Sequence, residues 1–195
     1  MRDLWIAAKM TLLLTVLTGI IYPILVFGLA RAMFPWQAGG SLLSSNGQVI
    51  GSAIIGQNFS EEKYFHGRPS AAGDKGYDAS SSGGSNLGPT NKTLIGNVEA
   101  RLKAVVEANP GLRTQDVPVD IVTASGSGLD PEISPAAAEI QVARISRARG
   151  IPAELVRSLI RQHTRGRLLG VFGEPGVNVL TLNLALDAVR PASSN

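Results

Sequence analysis

The chain has 195 residues, 44% of them hydrophobic, and a formal net charge of +3. It contains no cysteine and two histidines, which rules out a disulfide framework and any thiolate metal centre. A charge this small does not by itself point to nucleic acid.

Met10 to Ala30 is a run of 21 residues without a charge, bounded by Lys9 and Arg31. About 20 apolar residues, at 1.5 Å of rise each, cross a hydrocarbon core roughly 30 Å thick. The leucines, isoleucines, valines and phenylalanine of the run contribute on the order of −4 to −7 kcal/mol toward insertion. Trp5 and Trp36 flank it at interface depth. Arg2, Lys9 and the α-amino group precede the span, and only Arg31 closely follows it. The positive-inside rule then puts the N-terminus in the cytoplasm. The expected organisation is a short cytoplasmic segment over 1–9, a transmembrane helix over 10–32 and an extracytoplasmic soluble domain over 33–195. The alternative is a cleaved signal peptide, with Ala30-Arg31-Ala32 as the cleavage site. A signal core runs about 7–15 residues, shorter than this one.

Thr11, Thr15, Gly19 and Pro23 recur every four residues along the span. Small residues on one stripe let two helices approach closely in lipid, so these four define an expected packing face. Pro23 cannot donate to the carbonyl of Gly19, which predicts a local break in the helical ladder there.

Beyond the span, Val49 to Phe59 reads as a strand or hairpin. Tyr64 to Leu87 reads as a long loop, dense in Gly, Ser, Asp and Pro, and its aromatic residues argue against a plain linker. Leu94, Ile95, Val98, Leu102, Val105 and Val106 predict a helix over 90–109, capped by Thr90 or Asn91 and stopped at Pro110-Gly111. Val117 to Thr123 is an expected strand. Ser134 caps a helix with Pro135 in its first position, running to Arg149 and ended by Gly150. Pro152 opens another helix that buries Leu155, Val156, Leu159 and Ile160. Val177 to Leu184 alternates apolar and polar residues and reads as a strand. The expected fold is α+β, with about three helices and a small sheet after the membrane helix.

Catalytic patterns are absent from the sequence. His66 and His163 lack the H-E-x-x-H spacing of a zinc site, and no G-x-S-x-G elbow or Walker A loop occurs. Ser60 and Lys63 match S-x-x-K without the partner motifs that give it meaning. Arginines 144, 147, 149, 157, 161, 165 and 167 form a dense cationic segment with Glu154 as its single acid. It reads either as a solvated helical face or as contact with an acidic partner or anionic headgroups. No aromatic stacking platform accompanies it, which disfavours nucleic acid.

Three blocks carry a resemblance: FHGRPSAAGDKGYDASSSGGSNLGPTN from Phe65, TASGSGLDPEISPAAAEIQVA from Thr123 and GEPGVNVLTLNLALD from Gly173. With TVLTGIIYP in the span, they resemble the C-subunit family of the Kdp potassium-transporting ATPases, from the anchor to about Asp187. The resemblance implies a non-catalytic accessory subunit in a bacterial plasma membrane. It implies two partners, a potassium-binding channel-like subunit and a P-type ATPase subunit, which handle potassium and ATP themselves. No cofactor or metal is implied for this chain. Family members are held to aid assembly, and a catalytic-chaperone role raising the ATPase subunit's nucleotide affinity has been proposed. An extracytoplasmic domain could exert that effect only at long range; the alternative is a cap over the channel subunit's outer mouth. The Asp-Lys-Thr-Gly phosphorylation motif of P-type ATPases is missing, since Asp74-Lys75-Gly76 lacks the threonine.

Arg68, Asn86, Asn91, Ser127, Asp130 and Ser134 are the expected structural or subunit-contact loop residues. Ordinary turn chemistry is the competing explanation, with Arg68 paired to Asp78 or Asp130. Two positions depart from the family's pattern, Glu132 where His or Asn is common and Gly176 where Arg is common. The competing function is a secreted hydrolase or binding module starting at Met33. A membrane-tethered nucleotide-binding regulator is a third, in which ATP binding depends on a turn residue such as Ser127.

Overall fold

A computed structural model describes residues 1–45 and 47–189, so the last six residues of the expected 33–195 domain lie outside it. The described chain forms two units, 1–52 and the remainder from Ala53.

The first unit opens with one continuous apolar helix of 32 residues, Arg2–Met33, long and apolar enough to cross a bilayer. It comprises α1 (Arg2–Val16), a π-helical turn (Leu17–Ile21) and α2 (Tyr22–Met33). The break expected near Pro23 is present as that turn, where the Tyr22 N–H reaches back to the Leu17 carbonyl. Proline has no N–H, and its ring crowds the carbonyl four residues back. Widening the preceding turn relieves both problems within the helix. Thr18 bonds its own Oγ1 to the Leu14 carbonyl at 2.7 Å, satisfying its hydroxyl without a partner chain. A short helix, α3 (Pro35–Ala38), leads into a hairpin of β1 (Leu42–Ser45) and β2 (Gln48–Ser52). The hairpin expected over 49–59 therefore sits earlier: its first strand precedes Val49, and the chain leaves the sheet after Ser52.

The second unit is α+β. Helices α4 (Lys92–Ala108), α5 (Pro135–Glu139), α6 (Val142–Arg149), α7 (Ala153–Gln162) and α8 (Val179–Ala188) surround three short strands. These are β3 (Glu132–Ile133), β4 (Thr164–Arg165) and β5 (Gly176–Asn178), antiparallel in the order β3-β5-β4. The core gathers Ile133 and Val177 of the sheet with Ile145, Val156, Leu182 and Leu186 of the helices. The loop residue Phe65 is fully buried among them.

Helix α4 is capped as expected, the Asn91 side chain accepting from the N–H groups of Thr93 and Leu94. It lies at the margin, with Val98, Leu102 and Val105 packed on the core and Ile95 exposed. The Ser134 cap, the Pro135 start and the left-handed Gly150 stop are all in place. Between them the single expected helix divides at Ile140–Gln141, because the Gln141 side chain is drawn into the core to bind other backbone. Pro152 precedes α7, whose Val156, Leu159 and Ile160 are buried while Leu155 is exposed.

One expected strand is not a strand, and another is one only over its first two residues. Val119–Ile121, within the segment expected to be extended, is a 3-10 turn. Pro118 removes a ladder donor, and the Asp120 carboxylate is spent on the N–H and hydroxyl of Ser134 at 2.7 and 3.0 Å. Along Val177 to Leu184, extended backbone ends at Asn178, whose side chain caps α8 by accepting from the Thr181 N–H at 3.0 Å. The helical stripe Val179, Leu182, Asn183, Leu186 is buried. Its one polar member disguised the helical period. Among the described residues the second unit holds five α-helices where about three were expected for the soluble domain, within the same α+β class.

Candidate functional site

The long segment Tyr64–Leu87 carries no regular element beyond the 3-10 turn Ala79–Ser81, yet hydrogen bonds fasten it at points from Tyr64 to Gly83. Its entry is held by two buried amides. Asn183 accepts from the Phe65 N–H at 2.8 Å and donates to the Phe65 carbonyl at 3.0 Å. Gln141 accepts from the His66 N–H at 2.8 Å and donates to the His66 carbonyl at 3.2 Å. Side-chain amides thus supply the bonds that a neighbouring strand would supply, and the buried backbone stays paired.

Further along, Arg68 Nη1 pairs with Asp130 Oδ2 at 2.9 Å, both side chains being part-buried. Of the two partners expected for Arg68 it is Asp130, while Asp78 binds Ser80 and caps the short 3-10 turn. The Tyr77 hydroxyl donates to the Arg68 carbonyl at 2.7 Å. Ser70 Oγ donates to the Gly128 carbonyl at 2.6 Å and accepts from the N–H groups of Ala72 and Tyr77. Ser127 offers its carbonyl to the Gly83 N–H at 2.8 Å and to the Ser82 hydroxyl at 3.0 Å. These bonds fasten the segment to the Ala124–Pro131 turn. Gly128, at φ +67°, allows the contact: a Cβ there would lie 2.6 Å from the Gly83 carbonyl.

Arg68, Ser127 and Asp130 therefore meet in one cluster. Ser134 joins β3 to α5 through Asp120, Asn91 caps α4, and Asn86 supplies a left-handed residue at φ +53°. Gln141, Asn183 and Tyr77 complete the arrangement and were not singled out from the sequence. A polar residue inside an otherwise apolar helical stripe was the available signal for Asn183.

A cleft of about 400 Å³ opens beside the cluster, lined among others by Asn58, His66, Arg68, Tyr77, Arg101 and Asn109. Burial, then the Asp130 charge, pushes the Tyr77 phenol up to about 12, so it stays protonated. Burial and then the nearby Arg144 guanidinium hold His66 below its ordinary value, so it is neutral at pH 7. Its ring contacts only the Glu61 carbonyl among the described hydrogen bonds, at 3.2 Å. Neither side chain hydrogen-bonds a serine hydroxyl among the described hydrogen bonds. Lys63 pairs with Glu61 at 2.9 Å rather than with Ser60. No group of three His, Asp or Glu side chains able to hold a metal occurs among the described residues.

The cationic segment is largely spent inside the molecule. Arg144 donates to the Glu62 carbonyl and to Gln141, and Arg149 to the Lys63 carbonyl and to Asp187. Arg157 pairs with Glu139, Arg161 with Glu154, Arg165 with Glu132 and Arg167 with Glu174. Four of these partner carboxylates lie outside the immediate arginine run, which is why a local count of charge overstated the field.

Among the described residues, one helix long and apolar enough to cross a bilayer precedes an α+β domain of fastened loops, which fits the class of single-span membrane proteins. A sequence profile for the family described as "K+-transporting ATPase, c chain" matches residues 4–188. The potassium-transporting ATPase KdpC subunit of Gemmatimonas aurantiaca is 56% identical over 193 residues, covering 99% of this chain and 96% of that protein. The KdpC subunit of Variovorax paradoxus is 56% identical over 180 residues, covering 92% and 93%. That of Methylococcus capsulatus is 52% identical over 184 residues, covering 94% and 96%. The chain belongs to the KdpC family of potassium-transporting ATPase subunits.

Proposed function

We propose that this chain is a non-catalytic accessory subunit of an ATP-driven, high-affinity potassium import complex. The observation that carries the reading is the profile match from the membrane helix through the domain, residues 4–188. It works beside a potassium-binding channel-like subunit and a P-type ATPase subunit, which handle the ion and the nucleotide. Residues 1–9 lie in the cytoplasm, 10–32 span the bacterial plasma membrane, and the domain from residue 33 lies outside. The uncharged run Met10 to Ala30 is longer than the about 7–15 residues of a signal core, which supports an anchor over a cleaved leader.

In the membrane, Thr11, Thr15, Gly19 and Pro23 form the face that packs on the partner helices. Residues four apart drift around a regular helix, which has 3.6 residues per turn. The wider π turn between Leu17 and Ile21 reduces that drift. Gly19 and Pro23 are kept nearer the line of Thr11 and Thr15. Outside the membrane, Arg68, Asn86, Asn91, Ser127, Asp130 and Ser134 shape the loops that set the domain's partner-facing surface. The Arg68 Nη1, Asp130, Asn91, Ser127 and Ser134 side chains are engaged within the domain, which favours assembly and stability over direct nucleotide contact. Any rise in the ATPase subunit's nucleotide affinity is then exerted through the channel-like subunit, at long range.

The test is detergent extraction of the complex on a tagged copy of the full chain, followed by mass-spectrometric identification of what accompanies it. Both transport subunits should be recovered, and potassium-stimulated ATPase activity should fall when the chain is withheld. Recovery of the chain alone from the aqueous fraction would end the reading.

A further inference from the structure

Between β4 and β5 the chain projects a tight turn, Leu168–Phe172. Leu168 and Phe172 exchange two backbone hydrogen bonds of 2.8 and 2.9 Å, closing it at the base. Leu168, Leu169, Val171 and Phe172 are 67%, 83%, 70% and 63% exposed, so four large apolar side chains in five residues face water. Leu169 stands at φ +53°, a conformation that costs a branched residue energy and is held only by the surrounding bonds. An exposed apolar tip closed by two backbone hydrogen bonds is preorganised for a partner, since little further ordering is required on contact.

Charge decides between a bilayer surface and a protein. Loops that enter anionic headgroups carry unpaired basic residues around the apolar tip. Here both flanking arginines are neutralised, Arg165 by Glu132 with bonds of 2.9 and 2.6 Å and Arg167 by Glu174 with bonds of 2.9 and 2.8 Å. Glu174 is itself an exposed carboxylate, which anionic headgroups would repel. An apolar centre within a charge-balanced polar rim is the anatomy of a protein interface.

We infer that the Leu168–Phe172 turn is a docking tip that inserts into an uncharged apolar recess on another protein subunit of the same transport complex. The inference rests on the subunit reading above and adds which surface makes the contact. Because the chain has no cysteine, Leu169→Cys provides a unique site for an environment-sensitive bimane label on the full-length protein. Its emission should report water in nanodiscs holding this chain alone and shift to the blue in the assembled complex. Quenching by nitroxide-labelled lipids would show the tip in the bilayer and overturn the inference, as would unchanged emission in both samples. Independently, Leu169→Asp should reduce recovery of the identified transport subunits at least tenfold. The exposed control Val119→Ser should leave recovery unchanged, and both variants should keep the wild-type thermal midpoint. Equal recovery with Leu169→Asp would overturn the tip alone, whereas failure of the wild-type chain to bring any transport subunit would overturn the subunit reading with it.

Discussion

The carboxylate of Glu132 fills the space that a side chain at Gly176 would need: a Cβ on Gly176 would lie 2.5 Å from Glu132 Oε2. Both positions were expected from the resemblance to depart from the family's pattern, and they lie on neighbouring antiparallel strands. In this chain the two positions therefore exchange one local space. Removing the side chain at 176 admits the carboxylate at 132, which finds its counter-charge on Arg165 across the same strand.

Gly176→Ala should push the Glu132 carboxylate off Arg165 at a cost of about 1 kcal/mol or less, because that pair is well exposed on the arginine side. In a Glu132→Ala background the same substitution should cost almost nothing. Urea unfolding of the full chain in detergent, run as a double-mutant cycle, measures the coupling. Strictly additive costs would contradict the exchange.

Asn183→Ala should be far more damaging. It leaves the N–H and the carbonyl of fully buried Phe65 unpaired, at about 1–3 kcal/mol for each group. The expected consequence is loosening of the loop entry before global unfolding. Hydrogen exchange at Phe65 and His66 should accelerate more than exchange in α7.

His66 sets a pH dependence. Its folded-state value is depressed by burial and then by Arg144, so the unfolded chain binds the proton more readily. Stability from the neutral ring is complete above the unfolded value of about 6.5 and declines as pH falls from there toward the folded value. The denaturation midpoint should drop between pH 7 and pH 5.5, and His66→Gln should flatten that slope. Identical slopes in the two proteins would rule out His66 as the source.

Gly19→Leu places a branched side chain where a Cβ meets nothing in the isolated chain. The domain should stay folded by circular dichroism while recovery of the assembled complex falls severalfold. Normal recovery would remove Gly19 from the packing face.

Local rules carried the elements with strong ends. The 90–109 helix was legible because Asn91 caps it and Pro110-Gly111 stops it within a few residues. The 117–123 and 177–184 segments were not, because distant groups overruled their local preference. Asp120 turns toward Ser134, and Asn183 turns inward to Phe65, 118 positions away. The Arg68–Asp130 pair was legible only as one of two options, since spacing along the chain does not tell which carboxylate arrives. The Leu168–Phe172 tip was missed altogether, because a short apolar run reads as core until its exposure is known.

By itself, the sequence determined a helix long and apolar enough to span a membrane, the family and the α+β class, because uninterrupted apolar length, long unusual motifs and capping residues act over neighbouring positions. Only the tertiary structure decided which polar side chains bind the loops, which carboxylates the arginines meet and which apolar residues face water. Each of those outcomes depends on groups that meet after the backbone has folded back on itself, and pairing a buried donor or charge there outweighs any preference of a few adjacent residues.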